Sequence, residues 1–324
     1  MALKPIFILS AVRSGSTLVQ RVLAAHEGIA TVAEPWLLLP GAYSLRRAGV
    51  DAGYLHPFMV DAIEDFCEQL PGGSEEYVRE LRESALRLYE SAAEEGARYF
   101  VDKSPSYCFV AEEVMRLFPE GKFVFLWRNP LSIVSSIIET WQPWRPTIFR
   151  EDLFVGLPRL TATYDANRER VHGVRYEDLI GGDERHWREL LRYVGVEFDP
   201  SSLSRFTEID LVGRMGDPTG GKHYSALSSE PQQKWKTTLA NPLRREWCRR
   251  YLGYLGERRL ATMGYDLDRL LAELDALPRS ASSLLADLKR LAQDLVKEPI
   301  RVRTRAHRVL GVNVIRELTR AEHK

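Results

Sequence analysis

Several features are scarce in this chain of 324 residues, and each scarcity argues against a class of protein. Three cysteines, at positions 67, 108 and 248, are too few and too scattered for a disulfide framework or a zinc site, and they suit a reducing, cytoplasmic compartment. No apolar run is long enough to span a membrane, and the run near the N terminus is too short for a signal peptide. The 45 basic and 45 acidic residues balance, so the net charge does not indicate a nucleic-acid partner.

The chain does contain enough apolar residues, 44% of the total, to bury a full core in one or two domains. Its most informative stretch begins at Ile6–Leu9, a continuous apolar run typical of a strand buried on both faces of a parallel sheet. A loop of small residues with one cation, Arg13, follows, and Leu18 and Val22 then show a helical spacing. A strand, a tight loop and a helix N-terminus in this order present backbone amides to an anion, most often a phosphate.

This loop lacks the lysine of the ATP-binding Walker A motif, G-x-x-x-x-G-K-[ST]. When the two are aligned on Gly15, Ser10 takes the place of the first glycine and Ser16 takes the place of the lysine. The cation lies earlier, at Arg13. We therefore expect an anion site that differs from the usual triphosphate site, although a plain strand–turn–helix with ordinary serines fits the same residues.

The loop resembles the 5′-phosphate-binding loop of sulfotransferases that use 3′-phosphoadenosine 5′-phosphosulfate (PAPS), whose pattern is close to R-S-G-[ST]-[ST]-L. The resemblance implies an α/β fold: a P-loop-type, doubly wound parallel sheet with helical insertions and a helical C-terminal extension. It also implies that the loop residues bind the nucleotide: Arg13, Ser14, Gly15, Ser16 and Thr17.

A second strand and helix carry another motif of this kind. Lys122–Trp127 is the clearest buried strand, it is followed by Arg128, and the next helix has Pro130 in its first turn. The segment resembles the 3′-phosphate motif of the same family, strand-R-[DN]-P-x(5)-S, with Arg128 and Ser136 as the matching pair. Together the two motifs imply a nucleotide phosphorylated at both the 3′ and 5′ positions. PAPS is then the co-substrate and adenosine 3′,5′-bisphosphate (PAP) the product.

Two further residues are candidates for the chemistry. Glu34 follows a predicted strand at Ile29–Ala33, and Lys103 follows another at Tyr99–Val101, so both lie at the edge where open α/β sheets bind ligands. An exposed loop glutamate and a lysine in a turn fit these positions as well. Resemblance to the tyrosylprotein-sulfotransferase-like branch implies that Glu34 is the general base and that Lys103, in a [DNE]-K-[ST]-P motif, contacts the bridging oxygen of the donor. His26 is the alternative base, although it lies where this branch has a structural histidine. Another branch uses histidine as the base, and His223 is a further candidate.

Two binding residues are assigned by resemblance alone. Tyr176 lies in a recurrent family segment, R-Y-E-D-L, whose tyrosine is near the nucleotide, but it fits a core position equally well. Residues 210–241 form a polar, glycine-rich stretch that suits a flexible surface or a lid. Lys234 matches the lysine of a K-W pair near the end of such lids, and Thr219 and Lys222 are weaker candidates.

Residues 41–98 show helical spacings and few sheet-like runs, which predicts an insertion between core strands. In this kind of fold such insertions usually shape the acceptor pocket. Aromatic residues at 141–160 also suggest an aromatic-lined pocket: Trp141, Trp144, Phe149 and Phe154. Sugars, phenols and lipid alcohols all fit that description.

We predict a catalytic domain at residues 1–278 and a basic, amphipathic, helical extension at residues 279–324, which holds eleven basic and five acidic side chains. The helices of the extension are expected to dock on the catalytic body or on the second subunit of a homodimer. A basic surface for an anionic acceptor, a membrane surface or a partner protein is the alternative.

The resemblance covers about residues 5–265 and implies transfer of a sulfuryl group from PAPS to a hydroxyl of a small molecule, carbohydrate or lipid; an amine is less expected. Glu34 would take the proton of the attacking oxygen, and Lys103 with Ser16 and Thr17 would neutralise the leaving phosphate oxygen. No metal-binding cluster is visible in the sequence. The rivals are a nucleoside or small-molecule kinase that uses ATP and Mg²⁺, and a non-enzymatic nucleotide-binding scaffold.

Overall fold

The computed structural model describes residues 3–50, 52–141, 144, 149–213, 233–290 and 292. Within these ranges five parallel strands form one sheet: β1 (Lys4–Ser10), β2 (Ile29–Thr31), β3 (Tyr99–Asp102), β4 (Lys122–Trp127) and β5 (His172–Arg175). Their spatial order is β2-β3-β1-β4-β5. The chain leaves β1 toward one edge of the sheet and, after β3, crosses to the other side of β1. The carboxyl ends of β1, β3 and β4 therefore meet at a topological switch point, where such sheets bind ligands.

Helices connect the strands. The first group precedes β3: α1 (Ser16–Ala24), α2 (Leu39–Ser44), α3 (His56–Cys67) and α4 (Gly73–Ala92). Between β3 and β5 lie a 3₁₀ turn (Pro105–Phe109), α5 (Ala111–Leu117), α6 (Pro130–Thr140), a π-helical turn (Asp152–Gly156) and α7 (Leu157–Ala166). After β5 come α8 (Tyr176–Ile180), α9 (Arg185–Val194), α10 (Ser202–Arg205), a 3₁₀ turn (Phe206–Glu208), α11 (Lys234–Thr238), α12 (Pro242–Thr262) and α13 (Leu267–Asp275).

The central strand explains the continuous apolar run at the start of the chain. Successive side chains of a strand point to opposite faces, so Ile6 and Ile8 enter a core shared with α1 and α9, whereas Phe7 and Leu9 enter a second core on the other face. Because both faces are covered by helices, β1 needs no polar position. The predicted α/β fold with a doubly wound parallel sheet is confirmed, and the predicted helical insertion is present as α2, α3 and α4.

The first part of the predicted C-terminal extension packs on the rest of the protein through polar contacts. Asp287 is buried and accepts hydrogen bonds from Arg244 (Nε to Oδ2, 2.7 Å) and from Asn241 (Nδ2 to Oδ2, 3.0 Å). Leu285 and Leu288 are exposed. The domain boundary at residue 278 stays a prediction, and nearly all of the extension beyond residue 290 lies outside the described residues. Of the helices in the described ranges, none combines the length and the apolar composition needed to cross a membrane.

Candidate active site

The loop between β1 and α1 depends on the glycine that precedes the helix. Gly15 has φ +88° and caps α1, which begins at Ser16. A Cβ atom at this position would overlap the ring of Tyr176, so both the backbone conformation and the close approach require glycine. Arg13 also has a positive φ, +63°, which is uncommon for a residue with a side chain. The loop thus directs the backbone amides at the start of a nine-residue helix toward the carboxyl edge of the sheet, a suitable arrangement for an anion.

The two predicted phosphate motifs lie side by side. Arg13 donates a hydrogen bond from Nε to Ser136 Oγ (3.1 Å), and Arg128 donates from a terminal nitrogen to the carbonyl oxygen of Arg13 (2.7 Å). The guanidinium of Arg128 also lies over the ring of Tyr176, 4.7 Å from its centroid. The structure therefore joins the first motif to the second, and it brings Ser136 into contact with Arg13.

Two buried donors in this region have no hydrogen-bond partner among the described residues: Ser14 Oγ and Arg128 Nε. Buried polar atoms in native proteins are nearly always paired, because an unpaired one carries a desolvation penalty. One hydroxyl and one guanidinium N–H next to a helix N-terminus form a donor set that suits phosphate oxygens. The residues present thus fit a nucleotide that carries two phosphate groups.

Tyr176 occupies a core position beside the loop, and its proximity to the nucleotide stays a prediction. It is buried, and its ring lies beneath both Gly15 and the guanidinium of Arg128. It is therefore a core residue that also packs against the loop at Gly15.

Glu34 and Lys103 form an ion pair at the same edge of the sheet. Lys103 Nζ lies 2.7 Å from Glu34 Oε1 and 3.5 Å from Thr17 Oγ1 in the first turn of α1. Lys103 is buried, whereas the side chain of Glu34 is 10% exposed. The two residues predicted to carry the chemistry thus contact each other, next to the predicted nucleotide loop.

His26, the alternative base, lies near the amino ends of the strands, whereas Glu34 and Lys103 lie at their carboxyl ends. It precedes Ile29, which pairs with Tyr99 at the start of β3, whereas Lys103 follows the end of that strand. Burial lowers the pKa of His26, and the charges that act on it are those of Asp199 and Arg205. This placement separates His26 from Lys103 by the length of β3 and disfavours it as the base.

Lys234 is the first residue of α11 and is exposed. Its helix packs against α6, where Thr238 Oγ1 donates to Glu139 Oε1 (2.6 Å). The contact of Lys234 with the nucleotide stays a prediction. The weaker candidates at positions 219 and 222, and the histidine at position 223, lie outside the described residues.

The predicted aromatic pocket is only partly open. Trp144 is buried, and Phe154 packs against α12, with its ring centroid 5.2 Å from that of Tyr251. Trp141 is exposed, and the Arg13 guanidinium lies 5.4 Å from the centroid of its ring. A second exposed tryptophan, Trp36, was not predicted; its indole nitrogen lies 3.4 Å from Glu34 Oε2.

A buried carboxylate lies directly before Lys103 and was not predicted from the sequence. Asp102 accepts hydrogen bonds at Oδ2 from the hydroxyls of Tyr89 (2.5 Å) and Tyr107 (2.8 Å), and Ser104 Oγ lies 3.5 Å from its Oδ1. Burial raises the pKa of Asp102 to about 6, while these hydroxyls and the charge of Lys103 act in the opposite direction. The [DNE]-K-[ST]-P pattern contained the only signal for this residue.

A buried glutamine, also missed, holds the chain on the way to Glu34. Gln20 of α1 donates from Nε2 to Thr31 Oγ1 (2.8 Å) and to the carbonyl oxygens of Val32 (2.7 Å) and Ala33 (3.2 Å). Its position on the inner face of α1 gave no sign of this role, because the partners become visible only when β2 is placed beside the helix.

The sequence of the chain matches a known protein family. The sequence profile of the sulfotransferase family matches residues 5–200, more than half of the chain. The chain belongs to the sulfotransferase family. The match includes every predicted site residue except Lys234.

Relatives of known name agree with this assignment. The chain is 30% identical over 265 residues to the nodulation protein NoeE of Sinorhizobium fredii, covering 72% of this chain and 60% of that protein. It is 24% identical to protein-tyrosine sulfotransferase 2 of Gallus gallus, covering 77% and 63% of the two chains. The chain therefore spans somewhat less than two thirds of the length of these two relatives.

Among solved structures, the sulfotransferase domain from the curacin biosynthetic pathway superposes with a TM-score of 0.56 at 24% identity. The match covers 82% of this chain and 98% of that domain. This likeness extends the family fold well beyond residue 200 and agrees with the P-loop-type sheet.

Proposed function

We propose that the protein is an enzyme that transfers a sulfuryl group from PAPS to an acceptor hydroxyl. The observation that carries this proposal is the meeting of three elements at one sheet edge: the Arg13 loop, the Arg128 motif and the buried Glu34–Lys103 pair. The first two form a donor set for two phosphate groups, and the third places a carboxylate and an ammonium beside them.

The binding roles are assigned by the resemblance of the two motifs to those of the family. Arg13, Ser14 and the loop amides of Gly15, Ser16 and Thr17 hold the 5′-phosphate, and Arg128 with Ser136 holds the 3′-phosphate. Tyr176 supports the loop, and Lys234 contributes a further positive charge. PAPS supplies the sulfuryl group, and PAP is the product.

The Glu34–Lys103 pair performs the proton transfer and the charge compensation. As a carboxylate, Glu34 accepts the proton of the acceptor hydroxyl as the oxygen attacks. Its ion pair with Lys103 (2.7 Å) then loses the negative partner. The positive charge of Lys103, together with the hydroxyls of Ser16 and Thr17, thereafter stabilises the negative charge that develops on the leaving phosphate oxygen.

An acceptor hydroxyl, rather than an amine, is supported by the family relatives. One of them is by name a protein-tyrosine sulfotransferase, and tyrosine carries a hydroxyl. For this chain a small molecule, a glycan or a lipid alcohol is proposed as acceptor, approaching past the exposed Trp36 and Trp141.

Cytoplasmic location is proposed as well, supported by three cysteines that are buried and free of disulfides. A homodimer stays a prediction, as does contact of the basic extension with a membrane surface. No observation favours the kinase alternative, since Ser16 stands where a kinase loop carries lysine.

Thermal unfolding with three nucleotides tests the donor. PAP should raise the melting temperature clearly, because a ligand at about 100 times its Kd stabilises a protein by roughly 2.7 kcal/mol. Adenosine 5′-monophosphate, which lacks the 3′-phosphate, should give a much smaller shift, and so should ATP with Mg²⁺. Equal or greater stabilisation by ATP with Mg²⁺ would favour the kinase alternative.

A further inference from the structure

The turn that carries Glu34 is held at two backbone positions by side chains from the segment after β3. Ser104 Oγ accepts a hydrogen bond from the backbone N–H of Trp36 (3.0 Å), and the hydroxyl of Tyr107 accepts one from the backbone N–H of Leu38 (3.3 Å). Residues 34–38 are thereby tied to the 3₁₀ turn that follows Lys103.

Both of these hydroxyls also face Asp102. Tyr107 donates to Asp102 Oδ2 at 2.8 Å, and Ser104 Oγ lies 3.5 Å from Asp102 Oδ1. Each hydroxyl can therefore donate its hydrogen to the carboxylate while its oxygen accepts a backbone N–H. Asp102 orients both hydroxyls in this way, since a carboxylate only accepts.

Asp102, the last residue of β3, and the next residue, Lys103, thus make contacts on opposite faces of the sheet. Lys103 reaches Thr17 of α1 on one face, whereas Asp102 faces Tyr89, which stacks on Phe100 in the other core. The chain from Glu34 to Leu38 passes over this edge from the first face to the second. It contacts Lys103 where it begins and the hydroxyls oriented by Asp102 where it ends.

The backbone of this segment needs such support. Trp36 has φ +54°, a conformation that costs free energy for a bulky residue and persists only where the surroundings enforce it. Trp36 follows Glu34 by two residues and directs its indole N–H toward the Glu34 carboxylate (3.4 Å). A relaxed turn at Trp36 would move the carboxylate relative to Lys103.

We propose that Asp102 is a positioning residue for sulfuryl transfer: acting through Ser104 and Tyr107, it fixes the turn at residues 34–38 and so directs Glu34 toward Lys103. The inference rests on the proposed function for its kinetic consequence. Its structural part, the immobilisation of residues 34–38 by Asp102, stands without it.

Tyr89 provides the matched control. Its hydroxyl donates to the same oxygen of Asp102 at 2.5 Å, but it accepts no hydrogen bond from residues 34–38 among the described contacts. Tyr89→Phe and Tyr107→Phe each remove one buried hydroxyl from one carboxylate oxygen and keep the ring. A merely structural role for the network predicts similar effects of the two changes.

Hydrogen–deuterium exchange measures the structural part directly. Ser104→Ala and Tyr107→Phe should accelerate amide exchange at residues 34–39 by about 5-fold or more, the factor for one lost hydrogen bond of ordinary strength. Tyr89→Phe should leave exchange there unchanged. Asp102→Ala should accelerate exchange at both Trp36 and Leu38, whereas Asp102→Asn, whose single acceptor oxygen can still accept from Tyr107, should keep the protection at Leu38. Equal exchange in Tyr89→Phe and Tyr107→Phe would overturn the inference.

Turnover with PAPS measures the functional part. Ser104→Ala and Tyr107→Phe should lower kcat about 10-fold to 100-fold, since small misplacements of catalytic groups have effects of this size, with PAP affinity unchanged. In a Glu34→Gln background the same changes should alter kcat by less than about 2-fold, because the residue they position no longer acts. If Ser104→Ala or Tyr107→Phe lowers kcat by the same factor in the Glu34→Gln background as in wild type, the role of Asp102 in positioning Glu34 is contradicted. If wild-type protein transfers no sulfuryl group at all, the proposed function fails, whereas the exchange comparison still decides whether Asp102 fixes the turn.

Discussion

Two buried ion pairs of the same length occupy different parts of the molecule. Glu34–Lys103 lies at the carboxyl edge of the sheet, and Arg244–Asp287 joins α12 to the first part of the C-terminal extension; the shortest N–O distance is 2.7 Å in both. Length and burial alone therefore do not distinguish the pair proposed to perform chemistry from one that maintains structure.

The surroundings of the two pairs do distinguish them. Arg244 contacts both carboxylate oxygens of Asp287 and donates to the carbonyl oxygen of Thr238 (3.0 Å), while Asn241 donates to Asp287 as well. Such a closed set of hydrogen bonds stabilises the contact between segments. The two carboxylates also differ in exposure: the side chain of Glu34 is 10% exposed at the edge where strands β1, β3 and β4 end, whereas that of Asp287 is 1% exposed.

Removing the charge of Glu34 should have the largest effect on turnover. Glu34→Gln keeps the shape but cannot accept a proton, and general-base catalysis typically contributes ~10²–10⁴-fold. Steady-state kinetics should show kcat reduced by about that factor, with PAP affinity nearly unchanged. Lys103→Ala should also slow turnover, and the double variant should be less than multiplicatively impaired. If Glu34→Gln stays within a few-fold of wild type while folded His26→Ala is inactive, the base has been assigned wrongly.

The corresponding change in the second pair should affect stability and leave turnover intact. Asp287→Ala leaves the Arg244 charge buried and unpaired, which typically lowers the free energy of unfolding by about 3–5 kcal/mol. Urea unfolding measures this loss, and kcat per folded molecule should remain that of wild type. Deletion of residues 279–324 should have a similar cost and leave PAP binding by the folded protein intact. Deletion of residues 293–324 keeps Asp287 and serves as the control; if both deletions are equally stable, the Arg244–Asp287 contact does not stabilise the protein.

Asp102 is a third ionisable group beside the Glu34–Lys103 pair, and this predicts a pH dependence of stability. Burial raises the pKa of Asp102 from 3.8 to about 6, so the folded protein retains a proton that the unfolded chain releases. The contribution of Asp102 to stability should therefore be fully present below about pH 4 and fall as pH rises to about 6, by roughly 3 kcal/mol at most. Asp102→Asn should remove this part of the pH profile of unfolding. Superimposable profiles for the two proteins would contradict the assignment.

The smallest of these effects concerns the phosphate-binding cations. Arg128→Ala should remove most of the stabilisation by PAP, about 2.7 kcal/mol at about 100 times the Kd, because charge-assisted bonds to phosphate are among the stronger hydrogen bonds. Arg250 on α12 is the matched control, since its side chain is 79% exposed, and Arg250→Ala should leave the PAP shift unchanged. Equal shifts for both variants would show that Arg128 does not hold the nucleotide.

Short-range features of the protein could be predicted from the sequence. The apolar run of β1, the small residues of the loop and the start of α1 are all encoded within about fifteen residues, and the structure has each of them. The same holds for β4 and α6 around Arg128. The strand ends at Glu34 and Lys103 could be placed at one edge because parallel strands all end there.

Contacts between distant segments could not be predicted in this way. The hydrogen bond from Arg13 to Ser136 joins residues 123 positions apart. The sequence motifs indicated one nucleotide, but they did not indicate this contact between them. Asp102 ends an apolar strand, and its partner Tyr89 lies in the helical insertion, where no local pattern marks a buried hydroxyl. The contacts of Gln20 with residues 31–33 likewise depend on the placement of β2 beside α1, which no local pattern shows.

Sulfuryl transfer itself is the central claim, and mass spectrometry of the reaction products tests it most directly. The protein is incubated with PAPS and a panel of sugars, phenols and lipid alcohols, in parallel with Glu34→Gln and with reactions that contain ATP and Mg²⁺ in place of PAPS. The account predicts that one acceptor gains a single sulfuryl group with release of an equal amount of PAP, and that Glu34→Gln forms this product far more slowly. Gain of a phosphoryl group from ATP with no transfer from PAPS would contradict it.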